Sequence, residues 1–198
     1  MYAVVQCIVN WLIEQGVIHE AEKEIYEYST YCICISVIPL IIVAIFSIYL
    51  HGIIQYFMLI VPFKILRQYS GGYHAPKAWI CMVFSTILLV ISVYFVKVIH
   101  MDLDYYIIEA IACFIIIKNS PIESANKKLS SNEKVVYHRK VIICMISFVS
   151  IQMVAIWIHW NTLENAIAIS FLLVAISQLS CMFSIKKQNI SMLGDDYL

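Results

Sequence analysis

Residues 31–50 read YCICISVIPLIIVAIFSIYL, twenty positions without a charge. At a helical rise of about 1.5 Å per residue the run is about 30 Å long, the thickness of a bilayer's hydrocarbon core. This stretch decides the fold class, and composition agrees with it. Of 198 residues, 62% are hydrophobic and 13% charged, and mean hydropathy is +0.85. A soluble domain is about half apolar and a quarter charged. The expectation is an all-α integral membrane protein. Formal net charge is zero, so nothing draws the chain to nucleic acid, and 13 Tyr with 4 Trp suit ring anchoring at headgroup level.

Outward from that run, residues 2–15 form an amphipathic pattern. Val4, Val5, Ile8, Trp11, Leu12 and Gln15 fall at helical spacing, with Gln6, Asn10 and Glu14 elsewhere on the cylinder. Such a helix lies in the membrane interface or packs on the bundle. Met1 to Ile18 lacks a basic n-region and carries Glu14 and Gln15, so it does not read as a cleavable signal. Gly16 ends the pattern, and the acidic stretch His19 to Tyr28 reads as a solvated helical lead-in.

After the first span, His51-Gly52 is a tight turn. Ile53 to Leu66 is a short second segment with Pro62 and Lys64, either a kinked span with Lys64 snorkelling or a re-entrant segment. Trp79 to Ile99 is a third span, followed by the polar turn His100 to Asp104. Tyr105 to Ile117 is short and holds Glu109, a carboxylate that needs a polar neighbour or serves conformational change or substrate passage. Lys118 to Lys140 reads as one long polar loop. Val141 to Trp160 and Ala166 to Ile185 are the last spans, joined by Asn161 to Asn165.

The chain thus reads as one polytopic domain over 1–198, with about six hydrophobic segments and an N-terminal amphipathic helix. Its parts are an amphipathic and acidic region 1–30, a polar motif 64–81, a basic loop 118–140 and a polar tail 186–198. The second and fourth segments are short and kinked or re-entrant.

Charge sets an expected orientation. Lys64, Arg67 and Lys77, the six basic residues between Lys118 and Lys140, Lys186, Lys187 and Lys23 fall on one side. The turns 51–52, 100–104 and 161–165 contain no Lys or Arg. By the positive-inside rule six crossings place both termini, and the 64–81 motif, in the cytoplasm. The seven cysteines are an odd number scattered through apolar segments, which is no disulfide framework. Cys32-x-Cys34 lacks the partners of a zinc site, and no metal or cofactor is implied.

The polar motif carries the candidate chemistry. Arg67, then Ser70-Gly71-Gly72-Tyr73-His74, then Cys81, sit between two apolar stretches. A thiol and an imidazole are the groups needed to make a thiolate nucleophile and move its proton. A free thiol titrates near about 8.5, so Cys81 needs help. Pro76 suits a first helical turn, which would set Cys81 within about two turns of a positive dipole end. Arg67 and Lys77 add positive potential. Gly71-Gly72 permits a sharp turn and exposes N–H groups able to bind an oxyanion.

Arg67-x6-His74 with Gly71-Gly72-Tyr73-His74-Ala75 and Cys81 resembles the core motif of the AgrB family, membrane-embedded cysteine endopeptidases of bacterial quorum sensing. The likeness extends over most of the chain: its length, amphipathic start, hydrophobic layout and basic loop. Ser120-Pro121-Ile122-Glu123-Ser124-Ala125-Asn126-Lys127 is similar to the segment opening the family's loop, although Lys128 stands where family members often have Pro.

The resemblance implies a substrate like AgrD, a propeptide with an amphipathic leader, a central signal segment and an acidic tail. It implies Cys81 as nucleophile and His74 as general base and acid, with Arg67, Gly71 and Gly72 in support. The tail would leave an acyl-thioester on Cys81, and the propeptide's own Cys or Ser would close a thiolactone or lactone. Lys127, Lys128 and Lys134 would attract the acidic tail. A His-orienting third residue is not evident; Gln68 and Asn126 are candidates. The family suggests a homodimer in the bacterial cytoplasmic membrane. The competing reading is a small non-catalytic transporter or permease-like protein built on Glu109, or a structural membrane subunit.

Overall fold

The computed structural model describes residues 2–71, 78–99, 102–122 and 130–195, and the side chains of these other than 2, 78–81 and 184–195. Every regular element among the described residues is helical. Helix α1 is Tyr2–Glu14, α2 Lys23–Tyr49, α3 Ile53–Ser70, α4 Ala78–Val98, α5 Leu103–Asn119, α6 Ser131–Trp157 and α7 Asn161–Asp195. A single 3-10 turn, Glu20–Glu22, leads into α2.

Three described helical stretches are long and apolar enough to cross a membrane: Glu20–Tyr49, Ser131–Trp157 and Asn161–Phe183. Their outward side chains are large and apolar, among them Ile45, Ile146, Met153 and Ile176. A surface of this kind is stable against lipid and not against water.

Helices α3 and α7 form the central pair. On one flank α2 and α4 close over them around Val43, Leu59, Val93 and Ala166. On the other, α5 and α6 close around Leu66, Ile116, Val141 and Phe171. From Glu164 to Ala175 almost every side chain of α7 is buried. Ala166, Ala168, Ser170 and Ala175 keep that helix narrow, so its neighbours approach closely. Ser170 Oγ contacts Leu59 O at 2.9 Å and Ala166 O at 2.7 Å, tying α7 to α3 without an unmet hydroxyl.

Tight turns join the antiparallel pairs. His51 (φ 51°) links α2 to α3, and His159 (φ 57°) links α6 to α7. Lys97 near the end of α4 donates to Leu50 O and His51 O at 3.1 and 3.3 Å. Its ammonium satisfies carbonyls that the end of α2 leaves open.

The second segment is one continuous helix, Ile53–Ser70, with Pro62 inside it. Half of the stretch expected as a loop is helix: α6 begins at Ser131, where Ser130 and Glu133 form a reciprocal capping box with bonds of 2.8 and 3.3 Å. The expected tail continues α7 to Asp195, and the acidic lead-in is continuous with α2. Asn161 to Asn165, expected as a connection, is the first turn of α7. Helix α1 packs Val5 and Val9 onto α2 while Val4, Ile8 and Trp11 stay exposed.

Glu109 has the polar neighbour its position requires. Gln152 Nε2 donates to Glu109 Oε2 at 3.0 Å, and both side chains are buried between α5 and α6. Nearby, Tyr106 donates to Glu164 of α7.

Candidate functional site

The end of the bundle where α3 and α5 finish and α4 and α6 begin gathers the polar motif. Arg67 lies in the last turn of α3. Its guanidinium donates to Ser177 Oγ on α7 and sits 5.9 Å from the Phe63 ring centroid. Four residues on, α3 is capped by Gly71 at φ 76°, ψ −172°, a conformation open essentially to glycine.

Gly71 also allows a close approach. A Cβ there would fall 2.4 Å from Ile122 O and 3.2 Å from Ile122 N. The Ile122 amide donates to Ser70 O at 3.0 Å. The Ser120-Pro121 bond is cis. The exit of α3 and the strap after α5 are therefore laid side by side, and these two segments carry the family-like patterns Ser70-Gly71 and Ser120-Pro121-Ile122.

A glutamine binds both. Gln178 of α7 is fully buried. Its Nε2 donates to Ser120 Oγ at 2.8 Å and to Ser70 O at 3.4 Å. Ser120 Oγ in turn donates to Ile116 O at 2.6 Å, so it accepts from the amide. Those two acceptors fix which end of the amide is nitrogen. Gln178 Oε1 is left buried with no hydrogen-bond partner, a cost of about 1–3 kcal/mol.

Helix α6 closes the strap from its other side. His138 Nδ1 lies 2.8 Å from Ser120 O, a geometry in which the ring nitrogen donates and the carbonyl accepts. Lys140 places its ammonium 5.1 Å from the Tyr69 ring and 5.8 Å from the Tyr137 ring, joining the starts and ends of α6 and α3 by cation–π contact.

Cys81 is the fourth residue of α4, in the turn that begins at Ala78. His74, Gly72, Lys77, Lys127, Lys128 and Asn126 lie outside the described residues. Lys134 is in the first turn of α6 and exposed, at the same end of the bundle as Arg67 and Gly71. Gln68 is exposed on α3. The structure thus brings Arg67, Gly71 and the strap together and anchors both on α7 through Ser177 and Gln178. Those two α7 residues went unnoticed in the sequence. Their signal was a Ser-Gln pair inside an otherwise apolar span, where a polar side chain needs a partner.

Fold and site together define an α-helical membrane protein with a polar, glycine-hinged site at one end of its bundle. A family profile described as Accessory gene regulator B matches residues 5–179, and the chain belongs to that family. Its membership carries a role in processing quorum-sensing peptides. Among similar proteins is AgrB-like protein 2 of Clostridium perfringens (strain 13 / Type A), 25% identical over 150 residues, 71% of this chain and 70% of that one. An AgrB-like protein of Clostridium perfringens (strain SM101 / Type A) is 25% identical over 164 residues, 76% of each chain. No solved structure gives a significant match.

Proposed function

We propose that the protein is a membrane-embedded cysteine endopeptidase that cuts the C-terminal tail from an AgrD-like propeptide and promotes closure of a thiolactone or lactone ring. The observation that carries this reading is the pinning of Gly71 against Ile122, with Ser70 and Ser120 both bound by Gln178. It supports a fixed exit from α3 on the side that leads in sequence to His74, with Cys81 following as the fourth residue of α4.

His74 takes the proton of Cys81, and the thiolate attacks the peptide carbonyl before the tail. The tetrahedral intermediate collapses, the C–N bond breaks, and His74 returns the proton to the departing amine. An acyl-thioester remains on Cys81. The propeptide's internal Cys thiol or Ser hydroxyl then attacks that carbonyl, closes the ring and restores the Cys81 thiol. Thioester exchange conserves the acyl activation only if water is kept away, which a site at the membrane face favours. Lys127, Lys128 and Lys134 attract the acidic tail. The chain is multi-pass in the cytoplasmic membrane, acts as a homodimer, and holds both termini and the site in the cytoplasm.

The transporter reading rested on Glu109, whose Gln152 partner accounts for it as a structural pair. In purified proteoliposomes, Cys81→Ala and Cys81→Ser abolish cleavage while membrane insertion persists. Cleavage by Cys81→Ala overturns the proposal.

A further inference from the structure

Gln178 is a costly residue for a membrane core. It is fully buried, its amide oxygen finds no hydrogen-bond partner, and an apolar side chain of the same size would avoid that penalty. Its amide nitrogen meets two atoms that matter for the site, Ser70 O at the exit of α3 and Ser120 Oγ on the strap. Both belong to segments already joined by the Ile122 to Ser70 hydrogen bond. The neighbouring residue, Ser177, receives Arg67. One turn of α7 therefore backs the whole polar end of α3.

We propose that Gln178 is a positioning residue for the cleavage reaction: by clamping Ser70 to Ser120 it fixes the point from which the chain leaves for His74. The proposal rests on the function proposed above. Its physical content is a tether length. His74 follows Gly71 by three residues, so its Cα lies within about 11 Å of the Gly71 Cα. The four residues from His74 to Ala78 set a second limit of about 14 Å. Holding Gly71 fixes one end of that tether, and releasing it removes the fixed point on which proton transfer between His74 and Cys81 depends. A misplacement of about 1 Å is enough to cost about 100-fold in rate.

The test uses Gln178→Met in the full-length protein in proteoliposomes. Methionine keeps the length and volume of glutamine and removes both the amide donors and the unmet oxygen. The expected result has four parts. Thermal stability is unchanged or raised. kcat for propeptide cleavage falls about 100-fold while KM holds. The pH profile for alkylation of Cys81, read by peptide mass spectrometry, moves up toward that of an ordinary thiol, about 8.5. Amide exchange at Ile122 accelerates. Ser120→Ala, which removes the acceptor from the opposite side, lowers kcat in the same direction, and the double variant falls no further than Gln178→Met alone.

Wild-type kcat in Gln178→Met overturns the proposal. So does a joint fall of stability and kcat with an unmoved alkylation profile, which marks Gln178 as structural only. If Gln178→Met does not insert, additive rather than shared loss between Ser120→Ala and Gln178→Asn overturns it instead. Failure of the underlying reading is separable: cleavage by Cys81→Ala removes the cysteine mechanism, whereas unchanged exchange at Ile122 in Gln178→Met removes the clamp whatever the chemistry.

Discussion

Replacing Gly71 by alanine tests the hinge at its most constrained point. At φ 76°, ψ −172° a side chain costs about 1–3 kcal/mol in backbone strain. The added Cβ would also lie 2.4 Å from Ile122 O, which is backbone and cannot rotate aside. Relief requires the strap to move and the 3.0 Å bond from Ile122 N–H to Ser70 O to break, a further loss of about 0.5–1.5 kcal/mol. Together about 1.5–4.5 kcal/mol lowers the equilibrium holding the two segments by a factor of about 12 to 1,600. Gly16 provides the control. It has φ 69° but nothing within 4 Å of a built Cβ, so Gly16→Ala carries strain without collision. The assay is amide exchange of the peptide containing Ile122, paired with propeptide cleavage in proteoliposomes. Gly71→Ala loses protection and cleavage while helical circular dichroism holds, and Gly16→Ala keeps both. Wild-type protection and cleavage in Gly71→Ala would refute the reasoning.

Other consequences are open to measurement. Probes at Asp102 or Asn161 label from outside intact cells and one at Ser131 does not; outside labelling at Ser131 contradicts the charge-based orientation. Neutralising Lys127, Lys128 and Lys134 raises KM more than it lowers kcat, with an effect that fades as salt rises, and salt-independent binding by the triple variant would place substrate docking elsewhere. Gln152→Leu leaves the buried Glu109 carboxyl without its 3.0 Å donor and lowers thermal stability by about 1–3 kcal/mol, more than Glu109→Gln, which keeps a polar partner for Gln152.

Membrane character was readable from runs such as 31–50, because lipid demands an apolar side chain at nearly every outward position. The turn at His51-Gly52 and the partner requirement of Glu109 followed from equally local rules. Helix ends beyond the hydrophobic runs did not. Polar residues at 131–140 and 186–195 are as compatible with a solvated helix as with a loop, and hydropathy does not separate the two. The capping box Ser130-x-x-Glu133 at the start of α6 has a sequence signature that the reading of 118–140 as one loop overlooks. The motif from Arg67 to Cys81 was visible from its residue types. The clamp under it was not, because Gln178 lies 108 positions from Ser70 and 58 from Ser120 in the chain. Only packing of α7 between α3 and α5 brings them together.

The most direct measurement is the covalent intermediate itself. Purified protein in proteoliposomes is mixed with a propeptide whose ring-closing residue is replaced by alanine, quenched in acid and analysed by intact mass and peptide mapping. The predicted result is an adduct on Cys81 with the mass of the propeptide less its tail, released by hydroxylamine and absent in Cys81→Ala. Tail release with no adduct on Cys81, or an adduct that persists in Cys81→Ala, would contradict the account.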